Sequence, residues 1–426
     1  MRVRLKYGKG ALEVEIPEGN LISTLKPNDL PADREVEEVR GALENPLGHK
    51  RLRDLVGRGM KVALLVSDIT RPCPSHKVLP HVIDELRMAG IEDGDMTIFF
   101  ANGMHRAQTI EDMNKLVGPA ILGRIRAVNH DSKDEANLEY VGRTRRGTEV
   151  SVNKEVLDHD FIIGIANIDI HYFAGYSGGA KSLLPGVSSF ETIRQNHSMM
   201  TFHRAEPGVV DGNPVREDIE EGARMAGMDY IVNVVLNEGK GIVQAVAGDF
   251  VEAHRAAIRT NDLMYKVPIE RRADIVIASA GGFPKDINLY QAQKALDNAS
   301  YAVRDGGTII LLAECPEGLG DEVFEEWMME ASCPDDIIER LKAGFALGGH
   351  KAFAIARLAK RARILVVSGP ELRGILEGDL SGKGLMEPAE TVDEALKRAL
   401  DSHGRDASII LMPYAGSTLP SPIGPN

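Results

Sequence analysis

From His171 to His197 the chain reads His-Tyr-Phe-Ala-Gly-Tyr-Ser-Gly-Gly-Ala-Lys-Ser and, seven residues later, a helical pattern, Phe-Glu-Thr-Ile-Arg-Gln-Asn-His. Glycines bring backbone close to a ligand, and a lysine closing such a loop can hold a phosphate or act as a nucleophile. The stretch is close to a phosphate-binding loop but departs from G-x-x-x-x-G-K-[ST], because Ala180 stands where that motif has glycine before Lys181. A tight turn carrying a solvated lysine is the plain alternative. The histidines weigh against it. Of 12, eight stand in contexts typical of surface or core, but His105 and His171 each follow a strand end, His197 lies in the helix after the loop, and His350 follows Gly348-Gly349. An imidazole there can be an acid, a base or a metal ligand near neutral pH.

These residues need elements to bring them together. Lys61 to Asp68, Met96 to Gly103, which runs into a loop, and Phe161 to Ile168 read as apolar strands separated by helical patterns, the βαβ alternation of a parallel sheet. In such sheets ligands sit beyond the carboxyl ends of the strands. Those ends deliver Asp68-Ile69-Thr70-Arg71, Asn102-Gly-Met-His105 and Asp169-Ile-His171. The pattern restarts with Ala-Asp-Ile-Val-Ile-Ala-Ser-Ala from residue 273, preceded by a polar, proline-containing segment at 266–272 that reads as a linker. Two α/β domains with mainly parallel sheets are expected, with a cleft between them: 1–268 binding a cofactor and 269–426 contacting substrate, the loop-like tail from Ala415 packing back on the first. In the second domain Gln291 and Lys294 share a helix face near its N-terminus, where free amides and the dipole favour a carboxylate.

At 426 residues two cores are the natural expectation. The net charge of −13 disfavours nucleic acid and anionic membranes as partners, so an anionic substrate must be met by a local cluster of Arg, Lys and His. The three cysteines form no CxxC pair, and no apolar run approaches a membrane span, which points to a cytoplasmic protein. No HExxH pair occurs.

Taken in order, Asp68-Ile-Thr-Arg-Pro, Asn102-Gly-Met-His105, His171 through Lys181, His197 and Tyr290-Gln291-Ala-Gln-Lys294 resemble the nickel-dependent lactate racemase family, across nearly the whole chain. The resemblance implies a nickel-pincer nucleotide, a pyridinium-3-thioamide-5-thiocarboxylate mononucleotide holding Ni. It also implies that proteins which make this cofactor serve the chain as partners. Carried over residue by residue, it makes Lys181 the covalent anchor, His197 the nickel ligand, and His105 and His171 the acid/base pair. Asp68, Ile69, Thr70 and Arg71 contact the nucleotide, and Tyr290, Gln291, Lys294 and His350 the substrate. The implied reaction is inversion of a small 2-hydroxy acid by hydride transfer. Its chemistry is coherent: a weakly acidic C–H gives a carbanion little stabilisation, whereas hydride removal needs an electron sink that side chains lack.

Lactate racemases proper place a bulky aromatic beside the substrate methyl, where this chain reads Leu347-Gly-Gly-His350-Lys351-Ala-Phe353. That departure favours a longer or more polar acid, such as a sugar acid or a dicarboxylate. Two other readings stay open: a metallohydrolase with His105, His171 and His197 as ligands, and a binding protein for a phosphorylated metabolite. The residues set no oligomeric state.

Overall fold

The computed structural model describes residues 1–71 and 73–423; Pro72 and the last three residues of the tail lie outside the described residues. The chain opens with an antiparallel hairpin, β1 (Arg2–Tyr7) and β2 (Gly10–Glu15), followed by β3 (Leu21–Thr24). Contacts then divide the chain into two compact units, one of residues 29–264 and one that joins residues 1–28 to 265–426.

The 29–264 unit is built on β4 (Val62–Ser67), β5 (Met96–Ala101) and β6 (Arg126–Asn129). A hairpin, β7 (Leu138–Arg143) and β8 (Glu149–Asn153), precedes β9 (Phe161–Ile168). The two-residue pair β10 (Ile170–His171) and β11 (Gly175–Tyr176) comes next, then β12 (Tyr230–Leu236) and β13 (Ile242–Gly248). The main sheet has the order β13-β12-β9-β4-β5-β6, parallel throughout except for the β12–β13 hairpin.

Every residue of β4 and β9 is buried, which explains why both read as continuous apolar runs instead of alternating ones. Five large side chains in β9 alone contribute roughly 8–15 kcal/mol of gross transfer free energy, so strong burial anchors the polar loops at the strand ends. Gly164, mid-strand in β9, lets the following loop press onto the sheet: a Cβ there would lie 2.6 Å from Met228 Cε and 3.0 Å from Ser182 Oγ.

The other unit contains β14 (Lys266–Ile269), β15 (Ala273–Ser279), β16 (Val303–Leu312), β17 (Arg363–Val367), β18 (Glu387–Ala389), β19 (Ile409–Met412) and β20 (Leu419–Pro422). Its six-stranded sheet has the order β18-β17-β16-β15-β19-β3, all parallel.

Two features differ from the division expected at residue 268. The first 28 residues lie with the C-terminal unit: Leu5, Val14 and Ile16 share one core with Ile275, Ile310 and Leu411, and β3 pairs with β19. The supposed linker and the tail are strands, β14 and β20, which pair with each other in this same unit. Both segments are short and proline-bearing, so their strand character comes from each other and not from local pattern.

Candidate active site

β4 and β5 end side by side, and their loops bring Asp68 against His105. Asp68 Oδ2 lies 2.9 Å from His105 Nδ1, while Asp68 Oδ1 accepts the Thr70 amide at 2.6 Å and the Thr70 hydroxyl. A carboxylate can only accept, so His105 carries its proton on Nδ1 and presents a lone pair at Nε2. Burial, the largest single influence on Asp68, acts to raise its pKa. The bond to His105 and the charges of His105 and Arg71 outweigh that and hold it below the ordinary carboxylate range. Both oxygens thus have partners within the protein. Gln108 steadies the turn by accepting the Ile69 amide at 3.2 Å and donating to Asn102 at 2.9 Å.

β9 feeds the glycine-rich loop. His171 Nδ1 accepts the Ala174 amide at 3.3 Å, so in the neutral ring the proton sits on Nε2. Tyr172 stacks on the ring at 5.2 Å and Phe173 meets it edge-on at 4.6 Å. Burial, then the cations Lys181 and Arg71, push the His171 pKa well below the ordinary value. Lys181 is lowered in the same way, by burial and by Arg216 and Arg71. Every charge acting on it is positive, so it is held towards the free amine. Gly175 is required by its backbone: φ is +75°, and a Cβ would fall 1.9 Å from the Val209 carbonyl oxygen.

His197 occupies the last turn of the helix Phe190–Ser198, which Ser189 caps by accepting the Thr192 amide. Its ring lies 4.9 Å from Phe173. Its Nδ1 is 3.2 Å from Asn196 Oδ1, and Asn196 Nδ2 donates to buried Asp218 at 2.8 Å. That chain orients the ring from its Nδ1 side, the kind of support that commonly accompanies metal-bound imidazoles. Among the described residues no group of three His, Cys, Asp or Glu side chains could hold a metal. Among these residues His105, His171 and His197 are not gathered as a three-histidine centre.

In the other unit, Asn288 caps the helix Leu289–Ala299 by accepting the Gln291 amide at 3.0 Å. Tyr290 and Gln291 are partly exposed and Lys294 is exposed on this helix. His350 departs from the expected substrate contact: it is 4% exposed, stacks on Phe345, and takes the Gly348 amide on Nδ1 at 3.1 Å. Burial drives its pKa down to about 3. Its neighbour Lys351 donates to the Tyr290 carbonyl and lies 3.8 Å from the Tyr290 ring centroid, bracing the helix end that carries Gln291.

Residues 7–208 match the family model described as the lactate racemase N-terminal domain, and residues 269–419 match the lactate racemase C-terminal domain. The lactate racemase of Thermoanaerobacterium thermosaccharolyticum is 32% identical over 426 residues, 98% of both chains. The chain belongs to the lactate racemase family. That of Lactiplantibacillus plantarum is 31% identical over 422 residues, 96% of this chain and 97% of the relative. The solved lactate racemase apoprotein from T. thermosaccharolyticum superposes with a TM-score of 0.89 at 32% identity, covering 99% of this chain and all of that one. A Thermotoga maritima protein with a TM-score of 0.65 and 19% identity, over 93% of this chain, shares the fold. The protein is an isomerase of the racemase class.

Within this racemase, sequence reasoning missed the residues beneath the glycine loop. Arg216 is fully buried and donates to the carbonyls of Ala174 (3.2 Å), Gly178 (3.3 Å) and Tyr176. His254 Nε2 donates to the Ser177 carbonyl at 2.9 Å, and Asn233 Oδ1 accepts the Gly179 amide at 2.7 Å. Arginine in a helix's first turn ordinarily reads as a solvated side chain. The one available signal was Asn213-Pro214, a helix start that places Arg216 at a fixed distance from its cap. Among the described residues no helix is long and apolar enough to cross a membrane.

Proposed function

We propose that the protein inverts the stereocentre of a small 2-hydroxy acid, using a nickel-pincer nucleotide anchored at Lys181 and ligated by His197. The observation that carries this reading is Lys181 itself: a lysine in a glycine-rich loop, set among cations and held towards the neutral amine. A lysine held in that form would anchor the nucleotide through a bond from its amine to an acyl carbon of that group.

The donor set fits the group. One oriented imidazole, His197, suits nickel whose other ligands are soft sulfurs, and no competing cage of protein ligands occurs among the described residues. When bound, the nucleotide supplies the electron sink that accepts and returns hydride. The chain supplies the proton chemistry. His105 Nε2 takes the hydroxyl proton and gives it back as the carbonyl is reduced, with Asp68 placed to balance the imidazolium in between, and the neutral His171 offers the substrate oxygen a hydrogen bond from Nε2. The helix end at Tyr290, Gln291 and Lys294 receives the carboxylate. Arg71, Thr70 and Ile69 line the nucleotide's side, and the cofactor-making enzymes are the partners that load the site.

The test is co-expression with those enzymes, followed by mass spectrometry of the Lys181 peptide, metal analysis, and a panel of single-enantiomer 2-hydroxy acids that includes lactate. The expected outcome is an adduct on Lys181, nickel, and inversion with the substrate hydrogen retained. Rapid deuterium entry from solvent at the stereocentre, or zinc with an unmodified lysine, overturns the reading.

A further inference from the structure

Arg216 is a buried cation whose hydrogen bonds all reach backbone. Its three acceptors, Ala174, Tyr176 and Gly178, are alternate residues of the strip that ends in Lys181. A planar guanidinium can grip three carbonyls at once because its donors are fixed in a fork, which a single ammonium cannot reproduce. Burial lowers its own pKa to about 10, so it remains charged at neutral pH. Among the described residues the titratable groups that act on Lys181 or are acted on by it are Arg216, Arg71, His171 and His254, all basic.

We propose that Arg216 is a positioning residue for Lys181: it fixes the loop from below through three carbonyls and, by its charge, presents Lys181 to an incoming acyl group as a nucleophile. The assignment rests on the reading of Lys181 as the attachment point, yet it concerns the unloaded chain and can be tested without the cofactor. A buried cation could instead have been paired with an acid. Glu220, the nearest acid influence, is bonded to Arg255 and leaves the guanidinium face of Arg216 to the loop.

The experiment measures acetylation of Lys181 by acetyl N-hydroxysuccinimide ester against pH, read by peptide mass spectrometry, in unloaded wild type, Arg216→Gln and Arg216→Lys. Hydrogen exchange of residues 177–182 is followed in parallel. In Arg216→Gln the midpoint should rise by about one pH unit, making labelling about tenfold slower at neutral pH, since one unit is a tenfold change in free amine. In Arg216→Lys the midpoint should stay near wild type, while the loop amides exchange faster and labelling at high pH slows, because the charge remains but the fork is lost.

An unchanged midpoint in folded Arg216→Gln overturns the proposal. Should that variant not fold, Arg216→Lys decides: unchanged exchange and labelling overturn it. If the shifts occur but co-expression leaves Lys181 unmodified, the cofactor reading fails and the Arg216 coupling stands.

Discussion

The two histidines assigned to proton transfer stand at the carboxyl end of one sheet in opposite surroundings. His105 is partly exposed and rests on a buried carboxylate that fixes its tautomer. His171 has no carboxylate among its influences: cations surround it, a backbone amide occupies its Nδ1, and two aromatic rings close over it. Identical side chains are thus prepared for opposite tasks, a lone pair at one Nε2 and a proton at the other. The difference lies in whether the second nitrogen meets an acceptor or a donor. Proton inventory in this site is written by neighbours and not by histidine.

The sharpest way to break the comparison is to remove what the second region is organised around. Lys181→Ala should reduce racemisation to background and abolish the adduct, both read on co-expressed protein by polarimetry and mass spectrometry, whereas an adduct surviving elsewhere would refute the assignment. Next come the histidines themselves. His105→Asn and His171→Asn should each lower kcat/KM by about 10²–10⁴, the usual contribution of general acid/base groups.

For a substrate with a single stereocentre the free enantiomers have equal free energy, so kcat/KM stays equal in the two directions in every variant. The asymmetry between the regions must therefore appear in kcat and KM separately. Equal changes in kcat for both enantiomers in both variants would dissolve the distinction. Asp68→Asn should cost about 10²-fold, less than losing His105, because an amide that donates to Nδ1 moves the ring proton to Nε2 and removes the lone pair. Asp68→Glu, which keeps an acceptor, should recover part of that loss.

A smaller effect concerns stability. Burial lowers the pKa of His254 beneath the loop well below the ordinary 6.5. For this group the folded state binds fewer protons than the unfolded state once pH drops below 6.5, so its contribution is complete above that value and declines beneath it. The slope is up to about 1.4 kcal/mol per pH unit for each such group. Melting temperatures should fall more steeply with pH below about 6.5 than above it, and His254→Gln should lessen the added fall.

How far these regions could be read in advance follows from what each depends on. Phe161–Ile168 was visible to the residue because an all-apolar run bounded by polar loops has few other uses. Lys181, His105, His171 and His197 were visible because their types are chemically conspicuous beside glycines and strand ends. Asp68 was expected at the nucleotide, and its bond to His105 was not foreseen because nothing local says that its carboxylate meets a ring 37 residues away. Arg216 and His254 were passed over because each depends on a carbonyl delivered by a distant loop. The β14–β20 pair was read as linker and tail for the same reason: its strands exist only through a partner about 150 residues off.

The joining of residues 1–28 to the C-terminal unit has a consequence in time. β3 leaves the ribosome long before β19, the strand it pairs with, exists. At bacterial-type elongation rates the gap is roughly 20–80 s. Throughout that interval the hairpin's Leu5, Val14 and Ile16 have no core to enter, while the whole 29–264 unit is synthesised and free to fold. A segment made well before its partners is among the last to be housed, so nascent chains of this racemase should depend on whatever shelters those few apolar residues while they wait.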